Sequence, residues 1–213
     1  MTQSGFRNSG FRNSGLVLIA SCLTMLSVGE NSTAIMAALP AMTSELRLVP
    51  ATVEWIVNAY LLASAVFIIL GGEAADQFGA RRSSAVGIAA FALASVTIAV
   101  AMDGAMVVGA RALQGVGAAF AVAGTLAAVT QAVPESDRAR AIGAWTGFLM
   151  LGFSIGPLVG GAIPHYAGWR MNFWLNVVVM LPAGLALCCI PMPETARPAG
   201  WTGSGSACSP SSW

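Results

Sequence analysis

Residues 143–161 read GAWTGFLMLGFSIGPLVGG, an apolar segment of helix length in which Gly152, Gly156 and Gly160 recur every four residues. On a helix this spacing aligns the three glycines as one stripe, against which a neighbouring backbone can pack closely. Pro157 follows Gly156 directly; it has no N–H and its ring crowds the carbonyl of Phe153, so a bend is expected there. With Gly143 at one end and Gly161 at the other, the segment is built to sit against another helix inside a membrane.

Composition agrees. Hydrophobic residues are 56% of the 213 and charged residues 9%, where a soluble domain carries about a quarter charged residues. Ten basic residues, all arginine, face nine acids, with a net charge of +1. That leaves no basic field to hold nucleic acid. Cys22, Cys188, Cys189 and Cys208 lie in apolar runs or the tail without metal-ligand or redox spacing, so no metal site and no cofactor is expected.

Crossing the hydrocarbon core takes roughly 20 apolar residues. Six runs qualify: Leu16 to Leu39, Trp55 to Gly72, Ser84 to Ala101, Ala105 to Thr130, Ala141 to Ile163 and Phe173 to Ile190. The expected fold is an all-α integral membrane protein, with residues 16–190 as its six-helix transmembrane domain. Before it, residues 1–15 contain Ser-Gly-Phe-Arg-Asn twice in tandem and read as a disordered polar leader. After it, residues 191–213 form a cytoplasmic tail whose Gly/Ser-rich end reads as a frameshift, an early stop or the edge of a fragment.

An even number of spans puts both ends on one side. Arg7, Arg12, Arg81, Arg82, Arg138, Arg140 and Arg197 fall there and only Arg47 and Arg170 on the other, which places both termini in the cytoplasm by the positive-inside rule. Trp55, Trp169 and Trp174 stand at run edges, as interfacial anchors do. Gly71, Gly72, Gly79 and Arg81 recur at an offset of 89 residues as Gly160, Gly161, Gly168 and Arg170. Three spans separate the sets, so they lie on opposite sides. That is the relation of two three-helix units with inverted topology.

The spacing Gly143, Gly152, Gly156-Pro157, Gly160-Gly161 resembles the antiporter motif in the fifth helix of major facilitator superfamily drug exporters. Other segments extend the likeness. Arg111-Ala-Leu-Gln114-Gly115-Val-Gly117 is similar to the fourth-helix motif of that superfamily, and the resemblance implies a part for Arg111 in a proton pathway. Snorkelling to the outer boundary is the bland alternative for Arg111. Gly72, Asp76, Gly79, Arg81 and Arg82 resemble the cytoplasmic gating motif, in which Asp76 would hold Arg81 or a helix N-terminus; Gln77 and Ala80 stand where the family usually has arginine. Thr33 to Pro40 resembles the first-helix signature of the fourteen-helix drug:proton antiporters, with Asn31 where that signature has an Asp. Trp55 to Leu62, with Asn58 and Tyr60, Gly168-Trp169-Arg170 with Phe173 and Asn176, and Pro193-Glu194-Thr195 resemble the same branch.

Glu30, one position before Asn31, sits well inside the first run, where a carboxylate must face protein or water. It is either a proton-titrating or cation-recognising group that replaces the missing Asp, or an acid near the outer boundary that reaches water. One residue along a helix turns a side chain by about 100°, so the replacement depends on the cavity accepting that direction.

Three patterns are decoys. Gly152-Phe-Ser154-Ile-Gly156 fits a nucleophile elbow, but Ser154 has neither a preceding strand nor a nearby His. Asn31-Ser32-Thr33 is a glycosylation sequon inside a span, and His165 is a loop residue. The sequence therefore reads as no enzyme. It reads as the amino-terminal half of a proton-coupled exporter of small-molecule drugs in the inner (plasma) membrane, with substrate, protons and the lipid bilayer as partners. The rival is a non-transporting fragment or interaction module, which needs a complementary second half or self-association; an oligomeric channel would need polar residues repeated along one helix face, and apart from Glu30 and Asn31 the sequence shows none.

Overall fold

The computed structural model describes residues 3–189, with side chains from residue 14 onward. Six helices follow one another: α1 (Gln3–Leu46), α2 (Pro50–Phe78), α3 (Ala80–Ala99), α4 (Gly104–Ala132), α5 (Glu135–Ala167) and α6 (Arg170–Cys189). Each is long and apolar enough to span a membrane. The tail beyond residue 189, with Arg197, Cys208 and the Pro193-Glu194-Thr195 match, lies outside the described residues.

Helices outrun the apolar runs where the residues at their starts favour a helix. Pro50 stands at the first turn of α2, where a missing N–H costs nothing. The Asp103 side chain accepts a hydrogen bond from the Met106 N–H at 2.8 Å and starts α4. Glu135 and Asp137 occupy the first turn of α5, where the helix dipole favours acids. At the other extreme, α1 is continuous back to Gln3, so the described part of the leader is helical and not without structure. Extending a helix already nucleated adds one hydrogen bond per residue fixed, which offsets the weak propensity of Gly and Ser.

The packing repeats itself. α1 lies chiefly on α5, and α4 on α2 and α3 alike; α6 packs on α1 as α3 does on α4, and α3 meets α6 across the middle. Exchanging α1–α3 with α4–α6 maps this set of pairs onto itself. Two close crossings show the duplication at residue level. A Cβ on Gly29 of α1 would strike the Leu149 carbonyl and come within 3.1 Å of the Phe153 nitrogen, and one on Gly115 of α4 would strike the Tyr60 carbonyl and come within 3.1 Å of the Ser64 nitrogen. Tyr60 and Ser64 precede Leu149 and Phe153 by the same 89 residues that separate the glycine sets. The turns agree as well: Gly79 has φ 90 and Gly168 φ 80, both in the region that only glycine enters without strain. The inverted repeat expected from sequence is thus present in the fold.

α2 and α5, equivalent under that exchange, are the least buried helices. Leu62, Val66 and Ile69 of α2 and Leu151 and Leu158 of α5 are exposed on them. Trp55 and Trp174 are exposed, as interfacial anchors should be, but Trp169 is 1% exposed and is a packing residue. Its ring meets Phe173 edge-on and its indole N–H donates to Glu45 at 2.7 Å. A tryptophan at a run edge signals an interface only if its helix end stays uncovered, and here the end of α1 covers it.

Candidate functional site

The glycine stripe of α5 lies against α1 beside Glu30. A Cβ on Gly152 would come within 2.8 Å of the Glu30 nitrogen, one on Gly156 within 2.8 Å of the Glu30 carbonyl oxygen, and one on Gly160 within 2.7 Å of the Ala34 carbonyl carbon. These are backbone atoms, which cannot turn aside. Gly143 and Gly161 have open space at the Cβ position and take no part in the crossing. Proline in a helix leaves the carbonyl four residues earlier without its N–H partner, and for Pro157 that carbonyl is Phe153. The Thr33 hydroxyl, from α1, donates to the Phe153 carbonyl at 3.1 Å. Gly156, Pro157 and Thr33 thus act together: glycine admits α1, proline frees a carbonyl and threonine takes it. α5 remains helical through Pro157. Pro40, the last residue of the first-helix signature, is exposed within α1.

Arg111 is 1% exposed, so it does not snorkel. Its Nε donates to the Ile56 carbonyl of α2 at 3.1 Å, and its Nη1 to Gln114 Oε1 at 2.7 Å. Gln114 in turn donates to Ser95 Oγ of α3 at 2.8 Å. The guanidinium lies 4.2 Å from the centroid of the Tyr60 ring, a cation–π contact. Burying a guanidinium in a membrane costs roughly 2.5–3.5 kcal/mol on insertion scales, and this arrangement offsets it with two hydrogen bonds and a ring face. Gly115 and Gly117 supply the space: a Cβ on Gly117 would come within 2.9 Å of the Gly87 carbonyl oxygen on α3. The fourth-helix motif is therefore a knot tying α2, α3 and α4.

Glu30 is 5% exposed and Asn31 3%. Neither reaches bulk water. Glu30 Oε1 is buried without a hydrogen-bond partner, as is Asn31 Nδ2. Asn31 Oδ1 accepts from Asn176 Nδ2 of α6 at 3.2 Å. No hydrogen bond or ion pair joins Glu30 to Arg111. The Ser32 hydroxyl of α1 lies 3.1 Å from the Tyr60 hydroxyl, whose ring faces the guanidinium.

The residues of the expected gating motif do not close on one another. Asp76, Arg81 and Arg82 are exposed, and Asp76 forms no ion pair among the described residues. Asp76 lies in the last turn of α2, where carbonyl ends repel an anion, and the α3 N-terminus is capped by no side chain. The ion pair present is on the opposite side, between Glu45 and Arg170, the repeat counterpart of Arg81. Arg170 also donates to the Ala101 carbonyl at 2.9 Å and stacks over Trp169. The Ser154 hydroxyl donates to the Met150 carbonyl of its own helix, and His165, expected in a loop, lies instead in the last turn of α5, exposed beside Tyr166.

Sequence reasoning gave no role to Tyr60, Ser95, Asn172 or Asn176. The signal was there in part, since Asn172 and Asn176 are two amides one helical turn apart in an otherwise apolar run.

The profile of the Major Facilitator Superfamily matches residues 18–210. The chain belongs to that superfamily. Among curated proteins it is 36% identical over 169 residues to the tetracenomycin C resistance and export protein of Streptomyces glaucescens, covering 79% of this chain and 31% of that one. It is 35% identical over 179 residues to the multidrug resistance protein Stp of Mycobacterium tuberculosis, covering 81% and 33%. The chain thus spans about a third of the length of these relatives. The crystal structure of a D-xylose-proton symporter matches with a TM-score of 0.73 at 16% identity, over 84% of this chain and 48% of the other. That likeness fixes the fold: six helices in two inverted units, as in half of a major facilitator protein.

Proposed function

We propose that the chain is the amino-terminal six-helix half of a proton-coupled exporter of small-molecule drugs or toxic compounds. One observation carries this reading: a carboxyl group, Glu30, is buried in a membrane helix with an unpartnered oxygen, at the crossing where the Gly156-Pro157 stripe meets α1. A carboxylate so placed is costly unless it takes up a proton or pairs with a cation, and those are the two species an antiporter exchanges. The antibiotic-export relatives support drugs as the substrate class. In this reading Glu30 carries the proton, and Arg111 with Gln114, Gly115 and Gly117 holds α4 in place beside the cavity. Asp76, Arg81 and Arg82 form a cytoplasmic latch whose partners are supplied from outside the described helices. The protein is a multi-pass membrane protein, and the arginine asymmetry supports the inner membrane with both termini in the cytoplasm. Reporters fused to either end should read cytoplasmic; a reporter active outside at one end overturns the topology.

Alternating access rocks one half against another about a shared cavity, and the exposed apolar faces of α2 and α5 are the surfaces left for such a partner. The same faces favour the second reading, a module that does not transport until a complementary half or another copy covers them. Expression in a pump-deficient, drug-sensitive host separates the cases. The chain should restore no resistance by itself and should restore it when a second six-helix half is co-expressed. Resistance from the chain alone would show that it works as a homo-oligomer.

A further inference from the structure

The α1–α6 interface holds more polar atoms than it satisfies. Asn172 is 4% exposed and Asn176 2%. Both the Oδ1 and the Nδ2 of Asn172 are buried without partners, and so are Asn31 Nδ2 and Glu30 Oε1. One unpaired buried amide is a defect; three unpaired amide atoms on two facing helices, with the unpartnered Glu30 Oε1 one residue along α1, are a site. Each is costly if left dry, and a membrane offers no bulk water to lower that cost. They mix donors with acceptors, which no single anion or metal cation suits and which water does, since a buried water makes about three bonds to such groups.

Their order along the fold is informative. Asn172 lies in the first turn of α6, next to the end that carries Arg170 and its Glu45 partner. Asn176 is one turn deeper and reaches Asn31 on α1, and Glu30 is the next residue. Hydrophobic side chains bound the row: Ile35 of α1 and Phe173 of α6, both 2% exposed, belong to one apolar cluster. We propose that a file of bound water molecules runs along the α1–α6 interface through Asn172, Asn176 and Asn31, and that it connects the outer end of α6 to the Glu30 carboxyl. It rests on the reading of Glu30 as the proton carrier and supplies what that reading lacks, a route for the proton from outside. Among the described residues, the buried charged or titratable groups on the helices packed against α1 are Tyr60 of α2 and Arg111 of α4, which make a cation–π contact and bond to Ser32 and Gln114 respectively. α5 carries none between Arg140 and His165, α6 carries beyond Arg170 only the thiols of Cys188 and Cys189 at its far end, and Glu54, Glu73 and Asp76 of α2 and the acids and arginines that open α5 are exposed.

Microsecond X-ray radiolysis of the protein in detergent, read by mass spectrometry, tests this without transport, because hydroxyl radicals formed from bound water mark the side chains beside it. Phe173 and Ile35 should be oxidised severalfold faster than Phe91, which is as deeply buried in the other apolar cluster. In Asn172→Val with Asn176→Val that labelling should fall to the Phe91 level, and in Asn172→Ser it should persist. Labelling of Phe173 and Ile35 no faster than Phe91 in the unmodified protein overturns the proposal, as does labelling that the valine pair leaves unchanged. If the valine pair does not fold, the comparison of Phe173 with Phe91 in the unmodified protein decides alone. A wet interface together with Glu30→Gln transport that keeps the parent's pH dependence would instead sink the carrier reading and leave the water file standing.

Discussion

Gly156→Leu is expected to abolish export while leaving membrane insertion intact. A Cβ at this position collides with the Thr33 hydroxyl and comes within 2.8 Å of the Glu30 carbonyl oxygen and 3.1 Å of the Ala34 nitrogen. Overpacking a core costs about 1–3 kcal/mol when side chains can move. Two of these obstacles are helix backbone, so α5 must withdraw from α1 as a body and the cost belongs at or above the top of that range. Withdrawal also takes the Phe153 carbonyl from Thr33 and leaves it unpaired beside Pro157. Dye efflux, measured in cells that also express a second six-helix half, should fall to background, with unchanged amounts of protein in the membrane. Gly161→Leu, where no atom lies within 4 Å, should be tolerated in the same assay. Unaltered efflux in Gly156→Leu would reduce the motif to a resemblance.

Glu30→Gln should remove the pH dependence of transport while leaving the protein at least as stable. Glutamine has nearly the same shape but cannot take up a proton near neutral pH. Replacing an unpartnered buried carboxyl by a neutral amide relieves a burial cost rather than adding one. Stability and function are therefore expected to move in different directions, which a merely structural residue would not show. The thermal unfolding midpoint should stay level or rise, and efflux should become flat with external pH. Asn31→Asp is the control, because it restores an acid at the position that the fourteen-helix signature uses. If it raises activity while Glu30→Gln is silent, Glu30 is a bystander.

The six spans, the inverted repeat and the α5 stripe were legible in the sequence because each rests on a period. Apolar runs report length, the four-residue glycine spacing reports a helix face, and the shared offset of Gly79 and Gly168 reports two turns of the same unusual φ. What the periods do not contain is the partner. Nothing in the spacing of residues 143–161 says that Glu30 lies across from Gly156, or that Thr33 takes the carbonyl freed by Pro157. Arg111 was marked as either functional or snorkelling, and only the placement of Tyr60 and Ile56 around it decides against solvent. The resemblance to the gating motif implies that Asp76 holds Arg81 or a helix N-terminus, yet the turn at Gly79 and the end of α2 leave Asp76 and Arg81 both exposed. Trp169 failed for the same reason, since a run edge does not reveal that α1 extends over it.

If substrate movement is exchanged for protons through Glu30, proton flux in proteoliposomes measures that directly. The chain would be reconstituted together with a second six-helix half, an internal pH-sensitive dye would be loaded, and a lipophilic cationic substrate would be added with no imposed pH gradient. Coupled exchange predicts a substrate-dependent pH change in the lumen that saturates with substrate concentration and is absent in Glu30→Gln. Substrate transport with no pH change, or a pH change that Glu30→Gln leaves intact, would contradict it.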